Sequence, residues 1–211
     1  LTIDGENAVI DLACLPDASC RLKKKIRFTL ADADGKIVFD ETIQGCCNVW
    51  NNRTVIIPLN KLNLWSPDMP YLYKYTVIVD DDIWTDTVGL REIRTEGKQI
   101  LLNGQNIVLK GVAAWTADER GLFSIGSETA KKTVVALKDL HANFARAGHC
   151  PPSREFVKEC DRRGILLWLE TPAYWIDDMQ RPARTKNAMN ALSSMLIEYR
   201  NSPSVIIWSV G

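Results

Sequence analysis

Five side chains in the second half of the sequence have the types and spacing to hold a polyhydroxylated ligand: Trp115, Arg146, His149, Glu170 and Trp208. Arg146 and Glu170 can exchange charged hydrogen bonds with hydroxyls, and His149 can donate or accept. The flat faces of Trp115 and Trp208 suit the apolar C–H patches of a sugar ring. Asp118, Glu119 and Arg120 follow Trp115, and Tyr174 and Trp175 follow Glu170. Each member also has a plainer reading. Glu170 could end a strand in solvent and His149 could pack or cap. Arg146 could sit in a structural ion pair, because an unpaired buried guanidinium is costly.

Other chemistries find less support. The six cysteines (Cys14, Cys20, Cys46, Cys47, Cys150 and Cys160) include no C-x-x-C pair, and His141 and His149 are the only histidines. A structural zinc needs tighter clustering. Free, mostly buried thiols are expected, with three disulfides in an oxidising compartment as the alternative. The compartment stays undecided. Asp80-Asp81-Asp82 reads as a solvated turn rather than a metal site. Trp50, Trp65, Trp84 and Trp168 read as core or packing residues.

Composition narrows the partners. Lys+Arg and Asp+Glu are both 26, so the net charge is zero and a general nucleic-acid binder is not expected. Hydrophobic residues make up 46% and charged residues 25%, the balance of an ordinary globular chain. No apolar run approaches the roughly 20 residues of a membrane helix. Leu1 to Asp11 lacks a basic segment, so no signal peptide is expected there. A start at Leu fits a mature form or a piece of something longer.

The elements that must position these residues fall into two rhythms. Arg21–Leu30, Ile37–Ile43, Thr54–Leu59, Tyr71–Val79 and Thr85–Leu90 read as short strands, with a turn at Ala33-Asp34-Gly35-Lys36. Such spacing predicts a β-sandwich. Ile100–Leu102 and Ile107–Leu109 flank Asn103-Gly104-Gln105-Asn106, a hairpin signal. Strands and helices then alternate. Strands are predicted over Ile107–Ala113, Asn143–His149, Ile165–Glu170 and Val205–Val210. Helices are predicted over Ser127–His141, Ser153–Arg163 and Thr185–Arg200, with Ser127 as an N-cap and Gly164 as a left-handed cap. Continuous apolar strands alternating with helices mean a parallel sheet buried on both faces. Four such strands are half of an eightfold barrel; a small doubly wound sheet is the alternative, with no G-x-G-x-x-G to support it. In either fold, chemistry gathers at the strand C-termini.

Several runs resemble glycoside hydrolase family 2, the β-galactosidase, β-glucuronidase and β-mannosidase group. Asn143-Phe144-Ala145-Arg146-Ala147-Gly148-His149-Cys150-Pro151 with Asp161-Arg162-Arg163-Gly164 resembles its Asn-x-x-Arg-x-x-His-Tyr-Pro … Asp-x-x-Gly signature. Arg200-Asn201-Ser202-Pro203-Ser204 with Trp208-Ser209-Val210-Gly211 resembles its Arg-Asn-His-Pro-Ser … Trp-Ser-x-Gly-Asn-Glu segment. Leu64-Trp65-Ser66-Pro67, Pro70-Tyr71-Leu72-Tyr73 and Gly89-Leu90-Arg91 resemble the end of its immunoglobulin-like domain. Asn103-Gly104 and Leu109-Lys110-Gly111-Val112 resemble the start of its barrel.

The resemblance implies an immunoglobulin-like β-sandwich (1–94) followed by an incomplete (β/α)8 TIM barrel of about four strands (95–211). It implies a fragment of a retaining exo-β-glycosidase, most similar to a β-galactosidase, with a carbohydrate substrate and no cofactor. It implies that the acid/base Glu lies just after Gly211 and the nucleophile further on, so this chain by itself is expected to be inactive. Arg146 matches the family Arg beside the nucleophile, His149 the His that contacts sugar hydroxyls, and Glu170 the Glu ending the third strand. Ala113-Ala114-Trp115-Thr116 departs from the family's Asn-Arg-His-Glu-like segment, Cys150 replaces Tyr and Ser202 replaces His. The Glu-x-His magnesium ligands of some members have no match, so no metal is expected. A non-catalytic carbohydrate-binding or scaffold protein of the same fold is the alternative. Open half-barrel edges would favour a homo-oligomer.

Overall fold

The computed structural model describes residues 1–15, 23–46, 49–114, 125–172 and 181–210. Two compact units emerge, Leu1–Trp65 with Tyr71–Gln105, and Ser66–Pro70 with Asn106–Gly211.

The first unit is built of antiparallel strands. β1 (Thr2–Asp4), β2 (Asn7–Cys14) and β5 (Asn51–Pro58) form one sheet in the order β1-β2-β5. β3 (Lys23–Ala31), β4 (Ile37–Cys46), β6 (Tyr73–Val79) and β7 (Asp82–Val88) form a second, in the order β4-β3-β6-β7. Period-two alternation sets their faces: Ile26, Phe28 and Leu30 of β3 are buried while Arg27 is exposed. Ile10, Leu30, Val55, Ile57, Tyr73 and Leu90 make the core. Each such burial is worth roughly 1.5–3 kcal/mol. The β3–β4 turn works as expected: Asp32 Oδ1 accepts from the N–H groups of Asp34 (3.0 Å) and Lys36 (2.8 Å), and Gly35 supplies φ +83°.

A small sheet follows, with β8 (Ile93–Glu96), β9 (Gln99–Leu102) and β10 (Gln105–Asn106) in the order β10-β9-β8. Asn103 (φ +52°) and Gly104 (φ +78°) close the β9–β10 hairpin, both with the positive φ that a tight primed turn requires. The expected strand over Ile107–Ala113 is shorter. β11 is Gly111–Ala114, because the Asn143 side chain takes the preceding backbone groups. Asn143 accepts from Lys110 N–H (2.7 Å) and donates to the Val108 carbonyl (2.9 Å).

In the second unit β11, β12 (Phe144–Ala147), β13 (Leu166–Glu170) and β14 (Val205–Ser209) form a four-stranded parallel sheet in chain order. Helices α1 (Ser127–Asp139), α2 (Arg154–Arg163) and α3 (Pro182–Tyr199) alternate with them. A β-sandwich followed by an incomplete βα barrel is the architecture the sequence predicts. The core includes Ala145, Ala147, Leu167, Leu169 and Val205 of the strands with Val134, Phe156, Cys160 and Met195 of the helices. Ser153 caps α2 by accepting from Phe156 N–H, and Gly164 ends it at φ +72°.

Three expectations need correction. Gly126, not Ser127, is the N-cap of α1, and no side chain caps it. Trp65 is fully buried, but Trp50 and Trp84 are each 49% exposed; Trp84 lies on the edge strand β7, with Tyr75 ring edge against it. Of the cysteines described, all free, only Cys160 is buried, since Cys14, Cys46 and Cys150 sit at strand ends or in a loop. Cys20 and Cys47 lie outside the described residues. No helix among the described residues is long and apolar enough to cross a membrane.

Candidate functional site

Parallel pairing brings Arg146, His149 and Glu170 together. Arg146 of β12 lies in register with Trp168 of β13, and Glu170 is two residues further along the same strand. Side chains at 168 and 170 therefore share a face of β13, and Arg146 lies on that face of β12. Leu167 and Leu169 point the other way, into the helix-side core.

Arg146 donates to Glu170 Oε1 from both Nε (2.9 Å) and Nη2 (2.6 Å). His149 Nδ1 lies 2.9 Å from Glu170 Oε2. The same Nδ1 lies 3.4 Å from Arg146 Nη2, so it faces both a carboxylate acceptor and a guanidinium donor, and its role follows the tautomer of the ring. The Arg146 guanidinium carbon sits 5.1 Å from the centre of the Trp168 ring, a cation–π arrangement. Glu170 is 1% exposed, whereas Arg146 is 37% and His149 39% exposed along their side chains. Burial without these donors would be prohibitive for the carboxylate; with them it becomes a fixed negative point that orients two more accessible groups.

Gly148 makes this approach possible. A Cβ there would lie 2.9 Å from Glu170 Oε2, so a larger residue would displace the carboxylate. The Gly148–His149 peptide bond is cis. Behind the loop, Tyr199 of α3 donates from its hydroxyl to the Pro152 carbonyl at 2.7 Å. Burial pushes that phenol up to about 12.

The remaining expected members fare differently. Trp208 is not brought to this group: it lies in register with Leu169 and packs against the helix-side core, because alternation along β14 turns it away. Trp115, Asp118, Glu119, Arg120, Tyr174 and Trp175 lie outside the described residues. Trp168 and Gly148 are the members that sequence reasoning misses. The one available signal for Trp168 is its i, i+2 relation to Glu170. Among the described residues no three His, Cys, Asp or Glu side chains gather as metal ligands.

Chemically, Glu170 has both oxygens engaged, which suits holding and orienting rather than attacking. Retaining glycoside cleavage needs a second carboxyl group about 5–5.5 Å away. Asp161 is no such partner, being hydrogen-bonded to Ser204 in the layer that joins α2 to β14.

A sandwich leading into a βα sheet, with a polar group at the strand C-termini, defines a sandwich-plus-barrel domain of the kind that carries sites on its strand ends. Residues 93–211 match the family described as "Glycosyl hydrolases family 2, TIM barrel domain" and residues 2–91 match "Glycosyl hydrolases family 2". The chain belongs to glycosyl hydrolase family 2. It is 30% identical over 209 residues to the beta-galactosidase BgaC of Bifidobacterium adolescentis, covering 88% of this chain and 19% of that protein. It is 27% identical to a beta-glucuronidase of Paenibacillus borealis, covering 99% and 36%. The crystal structure of a beta-galacturonidase from Eisenbergiella tayi bound to galacturonate superimposes with a TM-score of 0.81 at 27% identity, over 96% of this chain and 36% of that one. The chain thus spans between 19% and 36% of the length of these relatives.

Proposed function

We propose that this chain is the central portion of a retaining exo-β-glycosidase that hydrolyses terminal β-linked sugars, β-galactosidase-like in its choice, and that the chain alone turns over nothing. Residues 1–94 serve as the sandwich domain and 95–211 as the first half of the catalytic barrel. The observation that carries this is the Arg146–Glu170–His149 group at the ends of β12 and β13. Glu170 fixes the two flanking groups, and Arg146 and His149 hold sugar hydroxyls. Both oxygens of Glu170 are engaged by Arg146 and His149, which supports binding without turnover.

The test is an isotope-edited NMR titration of the 211-residue chain with galactose and with glucuronic acid, alongside an aryl β-galactoside assay. Saturable shifts at Arg146 and His149, lost in Arg146→Ala, with no hydrolysis, are expected. Robust hydrolysis by chain free of contaminating enzyme would overturn the inactivity. Absence of any shift at both residues would overturn the sugar site.

The full engagement of Glu170 also favours a second reading, a non-catalytic carbohydrate-binding protein of the same fold. Assay of the longer protein separates the two: hydrolysis there excludes the second reading.

A further inference from the structure

We infer that Trp168 is a positioning residue of this site, an aromatic clamp that holds the Arg146 guanidinium against Glu170 and leaves its outer edge for a ligand. The inference rests on the sugar-site reading above and concerns a residue that the sequence alone assigns to the core.

Two independent observations point to it. First, Trp168 is the register neighbour of Arg146, and the guanidinium carbon lies 5.1 Å from its ring centre. A guanidinium tied through Nε and Nη2 to a single carboxylate oxygen can still swing about that contact. A ring against its flat face removes that freedom. Second, Nε1 of Trp168 is buried and has no hydrogen-bond partner among the described residues. A buried orphan donor is a cost that a leucine or phenylalanine would avoid. An indole kept at that cost, in contact with the one arginine of the site, is retained for its face. Ala145 and Ala147, the neighbours of Arg146 on β12, point into the helix-side core and cannot substitute.

The clamp also fits the division of labour in the group. Nε and Nη2 of Arg146 are spent on Glu170, while Nη1 makes no hydrogen bond among the described residues. A ring that fixes the guanidinium plane fixes where Nη1 points. It thereby sets the position at which a hydroxyl or other acceptor oxygen is met.

The experiment reads the Arg146 side-chain Nε–H by NMR in the 211-residue chain. In the wild type this proton should show nuclear Overhauser contacts to the Trp168 ring and slow exchange with solvent. Trp168→Leu should speed that exchange about tenfold, while Trp168→Phe, which keeps a ring face, should stay within about threefold. Backbone amides of β12 and α2 should stay protected in both, which a general loosening of the fold would not leave so. Unchanged exchange in the leucine variant overturns the proposal. Should that variant fail to fold, the wild-type spectrum decides: no contact to the ring and fast exchange overturn it equally. Titrating the wild type with galactose and glucuronic acid keeps the premises apart. Protected Nε–H with no sugar binding sinks the sugar-site reading alone.

Discussion

Asp161 Oδ1 accepts hydrogen bonds from both the backbone N–H (3.1 Å) and the hydroxyl of Ser204. One residue lies near the end of α2 and the other immediately before β14, so the contact fixes where the fourth strand enters the sheet. Burial pushes the Asp161 carboxyl up from its ordinary value, and the Ser204 hydrogen bonds only partly oppose this. A carboxyl raised in the folded state contributes stability that is full below its unfolded value and is lost as pH rises through its folded value. The difference in urea unfolding free energy between wild type and Asp161→Asn should therefore be most favourable to wild type in acid, and should shrink as pH rises from about 4 towards neutrality. A difference that grows with pH would contradict the assignment.

The Arg146–Glu170 pair makes a second prediction. Glu170 is almost wholly buried and Arg146 partly so. Removing one partner leaves the other uncompensated, at a cost of about 3 kcal/mol, the lower end for buried pairs because Arg146 reaches solvent. Glu170→Ala should lose that much in denaturant unfolding. The double variant Arg146→Met, Glu170→Ala should lose clearly less than the two single changes together, since no stranded charge remains.

Gly164 gives a third. It ends α2 at φ +72°, and a Cβ there would lie 2.2 Å from the Pro67 carbonyl oxygen. Both the backbone conformation and the space demand glycine. Gly164→Ala should cost about 1–3 kcal/mol, read as a lower thermal midpoint. An unchanged midpoint would mean that Pro67 yields freely.

The strands β13 and β14 are legible as apolar runs between helical segments, and β12 as a short apolar segment interrupted only by Arg146. That same property hid the site's full membership. In Leu166-Leu167-Trp168-Leu169-Glu170 no polar alternation tells which face Trp168 takes; only the register with Arg146 does. In Val205-Ile206-Ile207-Trp208 the face of Trp208 is equally hidden, and its register with Leu169 turns it away from Arg146. Arg146, His149 and Glu170 were legible because polar groups stand out at the ends of apolar runs. The sandwich posed the opposite difficulty. Trp84 fits a strand pattern as core, yet its place on the edge strand β7 leaves it half exposed. Edge or centre is a property of pairing, which sequence spacing does not encode.

The outer edges of β11 and β14 carry the last prediction. Among the described residues each pairs with one neighbour only, and both strands run parallel to that neighbour. The outer edge of β11 offers its N–H and C=O groups to another chain. Exposed Val112 on β11 and Val210 just past β14 add apolar surface beside them. No lysine or proline lies within either strand to discourage pairing. The chain should therefore self-associate, with a light-scattering mass above that of one chain that falls on dilution. Val112→Lys places a charge on the β11 edge and should shift the mass towards one chain without lowering the unfolding midpoint, since Val112 is exposed. A single-chain mass at every concentration tested would rule the edges out as an association surface.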